Sequence, residues 1–203
     1  MTQKTVWQPE YNADDFSVED NVLLADSFYQ FRRLDVIHKS FRGETVKIRR
    51  DLFCRPNAVA VLLYDATLDK IVLIEQFRIG ALDHPRSPWL LELIAGIIEP
   101  GESIEEVARR ESLEESGVEV NNLQHICKFT PSPGGAQEYI DLFCATIDST
   151  KAGGIHGLAV EGEDIKVHVF SAEQAFGMLR TGEIDNAPAI IALQWLQLNK
   201  QNL

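Results

Sequence analysis

The sequence has few cysteines and no long apolar run, and each shortage excludes a class of protein. Its three cysteines, Cys54, Cys127 and Cys144, are widely spaced among 203 residues. That odd number fits neither a disulfide framework nor a CxxC metal site, so we expect a reducing, cytoplasmic compartment. The longest apolar stretches, such as residues 58–63, are too short to span a bilayer. The first residues lack the apolar segment of a signal peptide.

Basic residues are also scarce. Nineteen Lys and Arg face 31 Asp and Glu, which gives a formal net charge of −12. Such a surface repels a phosphate backbone, so we expect no nucleic-acid partner. A phosphorylated small molecule stays compatible if metal ions or a few arginines offset the charge locally. Hydrophobic residues at 45% and charged residues at 25% are ordinary values for a globular protein with a real core.

The N-terminal part is predicted to be a small antiparallel β module. The first twenty residues are polar and irregular, which favours an extended arm. Residues 33–38 and 45–49 alternate with period two around a turn at Gly43, as paired strands do. Pro56 and its neighbours interrupt the pattern, so we place a boundary there. Residues 1–55 form the predicted module and residues 56–203 the predicted main domain.

The rest of the chain shows a mixed α/β pattern. The predicted strands are residues 58–64, 70–76, 89–95, 125–129, 138–147 and 165–170. The helix after Ser103 begins with a capping box of Ser103 and Glu106 and stops at Gly117. Two helices follow, one over 171–182 and one with Pro188 in its first turn.

Two carboxylates of the first helix lie within its apolar stripe. At about 100° per residue, Ile104, Val107 and Ala108 share one arc that should face the core. Glu111 and Glu115 fall within the same arc. Carboxylates one turn apart on an inward face repel each other and lose hydration, so they need a partner.

Two kinds of partner would compensate that charge. Hard divalent cations such as Mg²⁺ favour oxygen ligands, whereas Arg110, beside the pair, is the competing explanation. We favour a metal because Glu114 flanks the stripe as well, so the carboxylates outnumber the nearby arginine. Arg110 would then orient one of them by hydrogen bonds.

The spacing of these residues matches the signature of a known family. Gly96 is followed after five residues by Glu102, and residues 110–118 read RESLEESGV. This resembles the signature box of the Nudix hydrolases, which cleave nucleoside diphosphates linked to another moiety. Ser112 departs from the aliphatic residue usual there. The resemblance implies a Nudix-type α/β/α sandwich with a mixed sheet.

Beyond the box, the sequence resembles the ADP-ribose pyrophosphatase branch of the family. Pro133 lies sixteen residues after Gly117, where that branch has a marker proline. Residues 76–78, 89–92 and 154–158 are also similar to it. The resemblance implies hydrolysis of ADP-ribose to AMP and ribose 5-phosphate, with about two to three Mg²⁺ or Mn²⁺ ions in each site.

The resemblance assigns metal ligands and a general base. The ligands would be the backbone carbonyl of Ala95 and the side chains of Glu111, Glu115 and Glu163, with Glu114 beside them. Glu161 would be the base that activates the attacking water. By residue type alone, Glu161 and Glu163 would be solvated loop charges, and which of the two is base and which is ligand stays open.

The resemblance also assigns substrate contacts. These are Phe28, Tyr29, Arg50, Asp51, Arg55, Arg78, Ile97, Ser132, Pro133, Gly134 and Glu138. The arginines would contact phosphate and adenine, and Ser132 and Glu138 the terminal ribose. Phe28 and Tyr29 would stack on adenine, although simple strand packing explains them equally well.

Alternatives remain for substrate and assembly. Another nucleoside diphosphate sugar such as GDP-mannose is the second candidate substrate. A third hypothesis is that the protein is a non-catalytic regulator that binds ADP-ribose. The resemblance implies a homodimer in which residues of about 20–55 complete the partner's site, because short strands are marginal alone. A monomer with the hairpin folded on its own domain is the alternative.

Overall fold

The structure is a computed structural model, and it describes residues 7–203 apart from the side chain of Glu161. The chain divides into two compact units. The first contains the residues up to Arg55 together with Ser132–Glu138, and the second contains Pro56–Pro131 and Tyr139–Leu203. No helix within residues 7–203 has the length and apolar character needed to cross a membrane.

The first unit is a four-stranded sheet. Its strands, in sheet order, are β1 (Phe16–Asp26), β2 (Gln30–Lys39), β3 (Thr45–Cys54) and β9 (Ala136–Gln137). The first three are antiparallel neighbours, and β9 runs parallel to β3. This pairing is why Ser132–Glu138 group with the first unit although they lie far along the chain.

Strand β1 differs from the sequence prediction. The expected arm of twenty residues ends early, because residues 16–20 already belong to the strand. Register shifts between Val18 and Asp20, and again between Leu23 and Ala25, interrupt its alternation. Irregular alternation is what concealed the first residues of this strand. The predicted turn between β2 and β3 is present, with Gly43 at a left-handed φ of 79°.

The second unit contains an eight-stranded mixed sheet. Its strands are β4 (Ala58–Asp65), β5 (Lys70–Phe77), β6 (Trp89–Glu92), β7 (Ile94–Ile97), β8 (Leu123–Phe129), β10 (Ile140–Thr146), β11 (Gly154–His156) and β12 (Ile165–Ser171). The order is β11-β12-β5-β4-β10-β8, with β6 beside β5 and β7 beside β4. Only β4 and β10 pair in parallel within this sheet of the described chain.

The predicted single strand over 89–95 is two strands. Up to Glu92 the chain pairs with β5, and from Ile94 it pairs with β4. Leu93, which is buried, lies between them. The chain thus passes from β5 to β4 at Leu93, and β7 lies against the first helix.

Three helices cover this sheet. They are α1 (Ile104–Ser116), α2 (Ala172–Thr181) and α3 (Ala187–Asn199). The predicted capping box of α1 is present, since Ser103 and Glu106 each accept the other's backbone N–H, and Gly117 ends the helix at φ 70°. Side-chain caps from Ser171 and Asn186 begin the other two helices.

The helices lie on opposite faces of the sheet. On one face Val107 of α1 packs with Val61 and Val72. On the other, Leu193 of α3 packs with Leu62 and with further side chains of β5 and α2. The predicted mixed α/β fold, with an α/β/α main domain after a small β module, is confirmed.

Candidate active site

The acidic residues of α1 differ strongly in burial. The Glu115 residue is 2% exposed, and the side chains of Glu111 and Glu114 are 14% and 31% exposed. Glu105, on the outer side of the helix, is exposed. The helix therefore turns a carboxylate pair one turn apart toward the sheet, as the helical wheel predicts.

Strand β7 supplies the floor beneath this pair. The Ala95 backbone N–H donates to Glu115 Oε2 at 3.0 Å. A Cβ built on Gly96 would overlap the carboxyl group of Glu111. The absence of a side chain at Gly96 thus lets α1 approach the strand with Glu111 laid across its backbone.

Arg110 offsets part of the negative charge. Its guanidinium contacts Glu111 at 2.7 Å, Glu102 at 3.0 Å and Glu114 at 3.2 Å. Arg110, which the sequence analysis considered as an alternative to a metal, is therefore a partner of Glu111. The single guanidinium of Arg110 nevertheless contacts three carboxylates, and Glu115 is not one of them.

The buried carboxyl groups of Glu111 and Glu115 have raised pKa values. The pKa of Glu111 is raised to about 7, chiefly by burial and also by the charges of Glu114 and Glu163, against the lowering effect of Arg110. Burial likewise raises the pKa of Glu115 well above its usual value, while the Ala95 N–H and the charge of Arg78 oppose the rise. Both carboxyl groups would be stabilised in their ionised form by an added cation.

The donor set fits a hard divalent cation. Mg²⁺ prefers oxygen ligands such as carboxylates. Here the carboxylates outnumber the basic side chains beside them. Within the described residues, no three Asp, Glu, His or Cys side chains already form a metal cage. Glu111 instead contacts Arg110, and Glu115 accepts from Ala95.

Glu163 lies on a loop that is tied to α1. The Gly157 N–H donates to the Glu114 carbonyl at 3.4 Å, and Gly157 has a left-handed φ of 94°. The Leu158 N–H donates to Glu163 Oε2 at 3.1 Å, so this carboxylate closes its own loop. The negative charge of Glu163 contributes to the raised pKa of both Glu111 and Glu115. The Glu161 side chain, the predicted base, lies outside the described residues.

Arg78 joins the site from the end of β5. Its Nε donates to Glu92 Oε2 at 2.7 Å, and Gln76 Nε2 donates to the same oxygen at 3.3 Å. The sequence prediction included Arg78 but gave no role to Gln76 or Glu92. Alternation along β5 puts Gln76 on the same face as Val72, so the sequence could have indicated that Gln76 faces the site. The sequence held no signal for its contact with Glu92.

A second group of predicted residues forms an aromatic cluster in the first unit. Tyr29 packs edge-on against Phe28 and Phe53, with ring centroids 4.7 and 5.2 Å apart. The Arg55 guanidinium lies 5.1 Å from the Tyr29 ring centroid and contacts Glu138 at 3.0 Å. Glu138 is 5% exposed, and burial raises its pKa while Arg55 lowers it. Phe53 is the member that sequence reasoning missed.

Arg50 and Asp51 are adjacent in β3 and therefore point to opposite faces of the sheet. Asp51 forms two hydrogen bonds with Arg33, at 2.7 and 2.9 Å. Arg50 donates to the Arg49 carbonyl at 2.8 Å. The structure thus places Asp51 in an exposed ion pair of the sheet.

The remaining predicted contacts lie on turns and strand ends. Ser132, Pro133 and Gly134 are exposed, and the Ser132 carbonyl accepts from Ala136 N at 2.9 Å, which closes the turn before β9. Ile97 ends β7 opposite Ala58 and is half-buried.

Comparison with known proteins identifies the family. The NUDIX domain model matches residues 55–193. The ADP-ribose pyrophosphatase of Haemophilus influenzae is 48% identical over 197 residues, covering 95% of this chain and 91% of that one. The enzyme of the same name from Escherichia coli K12 is 49% identical over 176 residues, covering 86% and 82%.

More distant matches agree with this assignment. A GDP-mannose pyrophosphatase of Escherichia coli is 32% identical over 185 residues, covering 90% of this chain and 94% of that one. A crystal structure of an ADP compounds hydrolase matches with a TM-score of 0.64 over 91% and 96% of the two chains, and at 21% identity it supports the fold alone. The resemblance seen in the signature box is therefore confirmed: the chain belongs to the NUDIX family and is a Nudix hydrolase.

Proposed function

We propose that this chain hydrolyses the pyrophosphate bond of ADP-ribose to AMP and ribose 5-phosphate. The observation that carries the proposal is the inward pair Glu111 and Glu115 beside Arg78, in a chain about half identical to relatives named ADP-ribose pyrophosphatase. The site concentrates acidic oxygens next to an arginine, which suits a metal-assisted attack on a charged phosphate.

The metal would be Mg²⁺ or Mn²⁺, about two to three ions per site. The residues that would hold it are Glu111, Glu115, Glu163 and the carbonyl of Ala95, with Glu114 beside them. When bound, the metal supplies charge neutralisation on the phosphate oxygens and lowers the pKa of water. Arg110 keeps Glu111 and Glu114 oriented through its hydrogen bonds.

Protein groups supply the rest of the chemistry. Arg78 binds non-bridging oxygens of the pyrophosphate. Glu161 accepts a proton from the attacking water as its oxygen bonds to phosphorus. The bond from that phosphorus to the bridging oxygen breaks, and the bridging oxygen leaves with the other phosphoryl group. Glu163 is the alternative base if Glu161 is a ligand.

Further residues are proposed to contact the two ends of the substrate. Phe28 and Tyr29 offer faces for adenine stacking, and Arg50 and Arg55 offer positive charge. Ser132 and Glu138 would contact the terminal ribose. The remaining contacts proposed are Asp51, Ile97, Pro133 and Gly134.

We further propose a cytoplasmic homodimer with shared active sites. The first unit exposes an unusual set of apolar side chains, between 39% and 75% exposed: Phe16, Val18, Val22, Leu23, Leu24, Phe28 and Phe31. Large apolar side chains exposed together on one unit support burial against another chain. The three free cysteines suit a reducing compartment.

GDP-mannose is the second candidate substrate, favoured by the relative of that name at 32% identity. A panel of nucleoside diphosphate sugars, assayed with Mg²⁺ and separately with a chelator, discriminates the two. We expect ADP-ribose to have the highest kcat/KM and all turnover to stop in chelator. GDP-mannose cleaved about tenfold faster, a transition-state preference near 1.4 kcal/mol, would assign the chain to the second substrate.

A further inference from the structure

We propose that Glu92 is a positioning residue that holds Arg78 with both terminal guanidinium nitrogens directed at the substrate's pyrophosphate. The inference rests on the proposed function, in which Arg78 contacts phosphate. Nothing in the family signature assigns a role to Glu92, which lies outside the box. Its role follows from three contacts and from the face of the sheet on which they occur.

The first contact is a short charge-assisted hydrogen bond. Arg78 Nε donates to Glu92 Oε2 at 2.7 Å, and the Glu92 side chain is only 15% exposed against 43% for Arg78. Such bonds are stronger than neutral ones, and limited water access increases the difference. The carboxylate is therefore the fixed partner and the arginine the side chain it aims.

Gln76 fixes the carboxylate in turn. Gln76 is 6% exposed, and its Nε2 donates to the oxygen that also receives Arg78. One Glu92 oxygen thus accepts from Gln76 in β5 and from Arg78, the residue that follows the strand. The backbone of Arg78 is held as well, since its N–H donates to the Pro88 carbonyl at 2.9 Å.

The sheet places these three side chains on the side of the acidic helix. Val72 and Ile74 belong to the layer packed by α1. Alternation along β5, continued by the extended backbone of Arg78, puts Gln76 and Arg78 on the same face. Glu92 pairs directly across from Ile74, which gives it that face too.

Binding through Nε leaves the two terminal nitrogens of Arg78 available. Among the described residues, neither terminal nitrogen donates to a protein group. Those two amino groups form the planar fork that matches adjacent oxygens of a phosphate. An arginine held by Nε presents that fork with little loss of side-chain freedom on binding, which improves substrate affinity.

Glu75 provides a matched control. It precedes Gln76 in β5, lies on the opposite face, and its carboxylate lies 2.8 Å from Nε2 of His168. Removing either carboxylate deletes a partly exposed side-chain contact of the same sheet, and of these two carboxylates it is Glu92 that contacts Arg78.

The test is a double-mutant cycle on the intact protein. The variants are Glu92→Ala, Arg78→Ala and their combination, with Glu75→Ala as control and Glu92→Gln as the conservative change. Kinetics are measured on whichever compound of the nucleoside diphosphate panel the wild type cleaves best. If that compound is not ADP-ribose, the proposed function fails, and the cycle still tests Glu92.

We expect Glu92→Ala to raise KM about tenfold with a much smaller change in kcat, because it removes orientation of a binding group. Glu92→Gln should lie between it and wild type, since an amide oxygen still accepts from Nε. Arg78→Ala with Glu92→Ala should be no worse than Arg78→Ala alone, because coupled residues are non-additive. Glu75→Ala should behave as wild type.

Three results would overturn the proposal. They are additive losses in the double variant, a Glu92→Ala protein with unchanged KM, and a Glu92→Gln protein as impaired as Glu92→Ala. If Glu92→Ala does not fold, as thermal unfolding would show, the cycle is completed with Glu92→Gln, and the same non-additivity decides it.

Discussion

Gly96 of β7 lies directly beneath the carboxyl group of Glu111, so close that a Cβ at this position would overlap it. The signature box thus begins with a residue whose missing side chain shapes the site. A glycine needed for a close approach differs from one needed for a positive φ, and Gly96 is of the first kind.

Gly96→Ala should therefore displace Glu111 and lower kcat/KM by about a hundredfold, since a shift near 1 Å at a catalytic group has effects of that order. Gly177→Ala is the matched control: this glycine lies in α2 with room for a methyl group. That change should leave activity intact and stabilise the helix by about 0.5–1 kcal/mol. Steady-state kinetics and thermal unfolding check both. Full activity in Gly96→Ala would contradict the packing described.

Replacing the inward carboxylates should lower activity without lowering stability. Glu111→Gln and Glu115→Gln should each lower turnover by about a hundredfold or more, because they remove proposed metal ligands. In chelator, Glu115→Gln should unfold at a temperature equal to or above wild type, because burying a neutral amide costs less than burying a charge.

Glu105→Gln is the control for that pair, because Glu105 is an exposed acid of the same helix. It should be nearly silent in both measurements. Equal activity losses at all three positions, or turnover that survives a chelator, would rule out the metal assignment.

The helix and its caps could be predicted from sequence because their signals are local. Ser103, Glu106 and Gly117 lie within one element, and the 3.6-residue period places Glu111 and Glu115 inward without tertiary information. The partnership of Arg110 with Glu111 could also be anticipated, because the two residues are neighbours in the sequence.

Features that depend on strand pairing could not be predicted. Alternation tells which face a side chain takes but not which strand lies beside it, so the change of partner at Leu93 was missed. The Gln76–Glu92 contact spans 16 positions and exists only through the pairing of β5 with β6. The position of Phe53 against Tyr29 likewise needs the register of β2 and β3.

Asp65 gives a prediction about stability alone. This carboxylate is 3% exposed and accepts four hydrogen bonds, from the N–H groups of Thr67 and Leu68 and from the N–H and hydroxyl of Ser149. Asp65→Ala leaves buried donors unpaired and should cost about 3 kcal/mol at pH 7. Urea unfolding measures it, and Asp83→Ala, at an exposed aspartate, should change stability by less than about 0.5 kcal/mol.

The Asp65 contribution should also depend on pH in one direction. Burial alone would raise its pKa, but the hydrogen bonds from Ser149, Leu68 and Thr67 outweigh that and hold it below the usual 3.8. A folded pKa lower than the unfolded one gives stability that is complete above 3.8 and is lost as pH falls through the folded value. The difference between wild type and Asp65→Ala should be constant from pH 7 to 5 and shrink below pH 4. A difference that grows on acidification would refute this.

The shared-site dimer predicts complementation between two impaired proteins. If Phe28 serves the partner's site, mixing Phe28→Ala with Glu111→Gln gives mixed dimers with one site carrying both defects and one carrying neither. Activity should rise toward half of the wild-type value in mixed dimers. Light scattering supplies the mass, and a monomeric mass, or no recovery despite demonstrated subunit exchange, would exclude the shared site.

The central claim is that this Nudix hydrolase breaks the pyrophosphate bond of ADP-ribose, and hydrolysis in ¹⁸O-labelled water tests it most directly. With Mg²⁺ present, mass spectrometry should find AMP and ribose 5-phosphate in equal amounts, with one ¹⁸O on the phosphate of one product and none on the other. Intact ADP-ribose, or release of adenine with the pyrophosphate unbroken, would contradict the account.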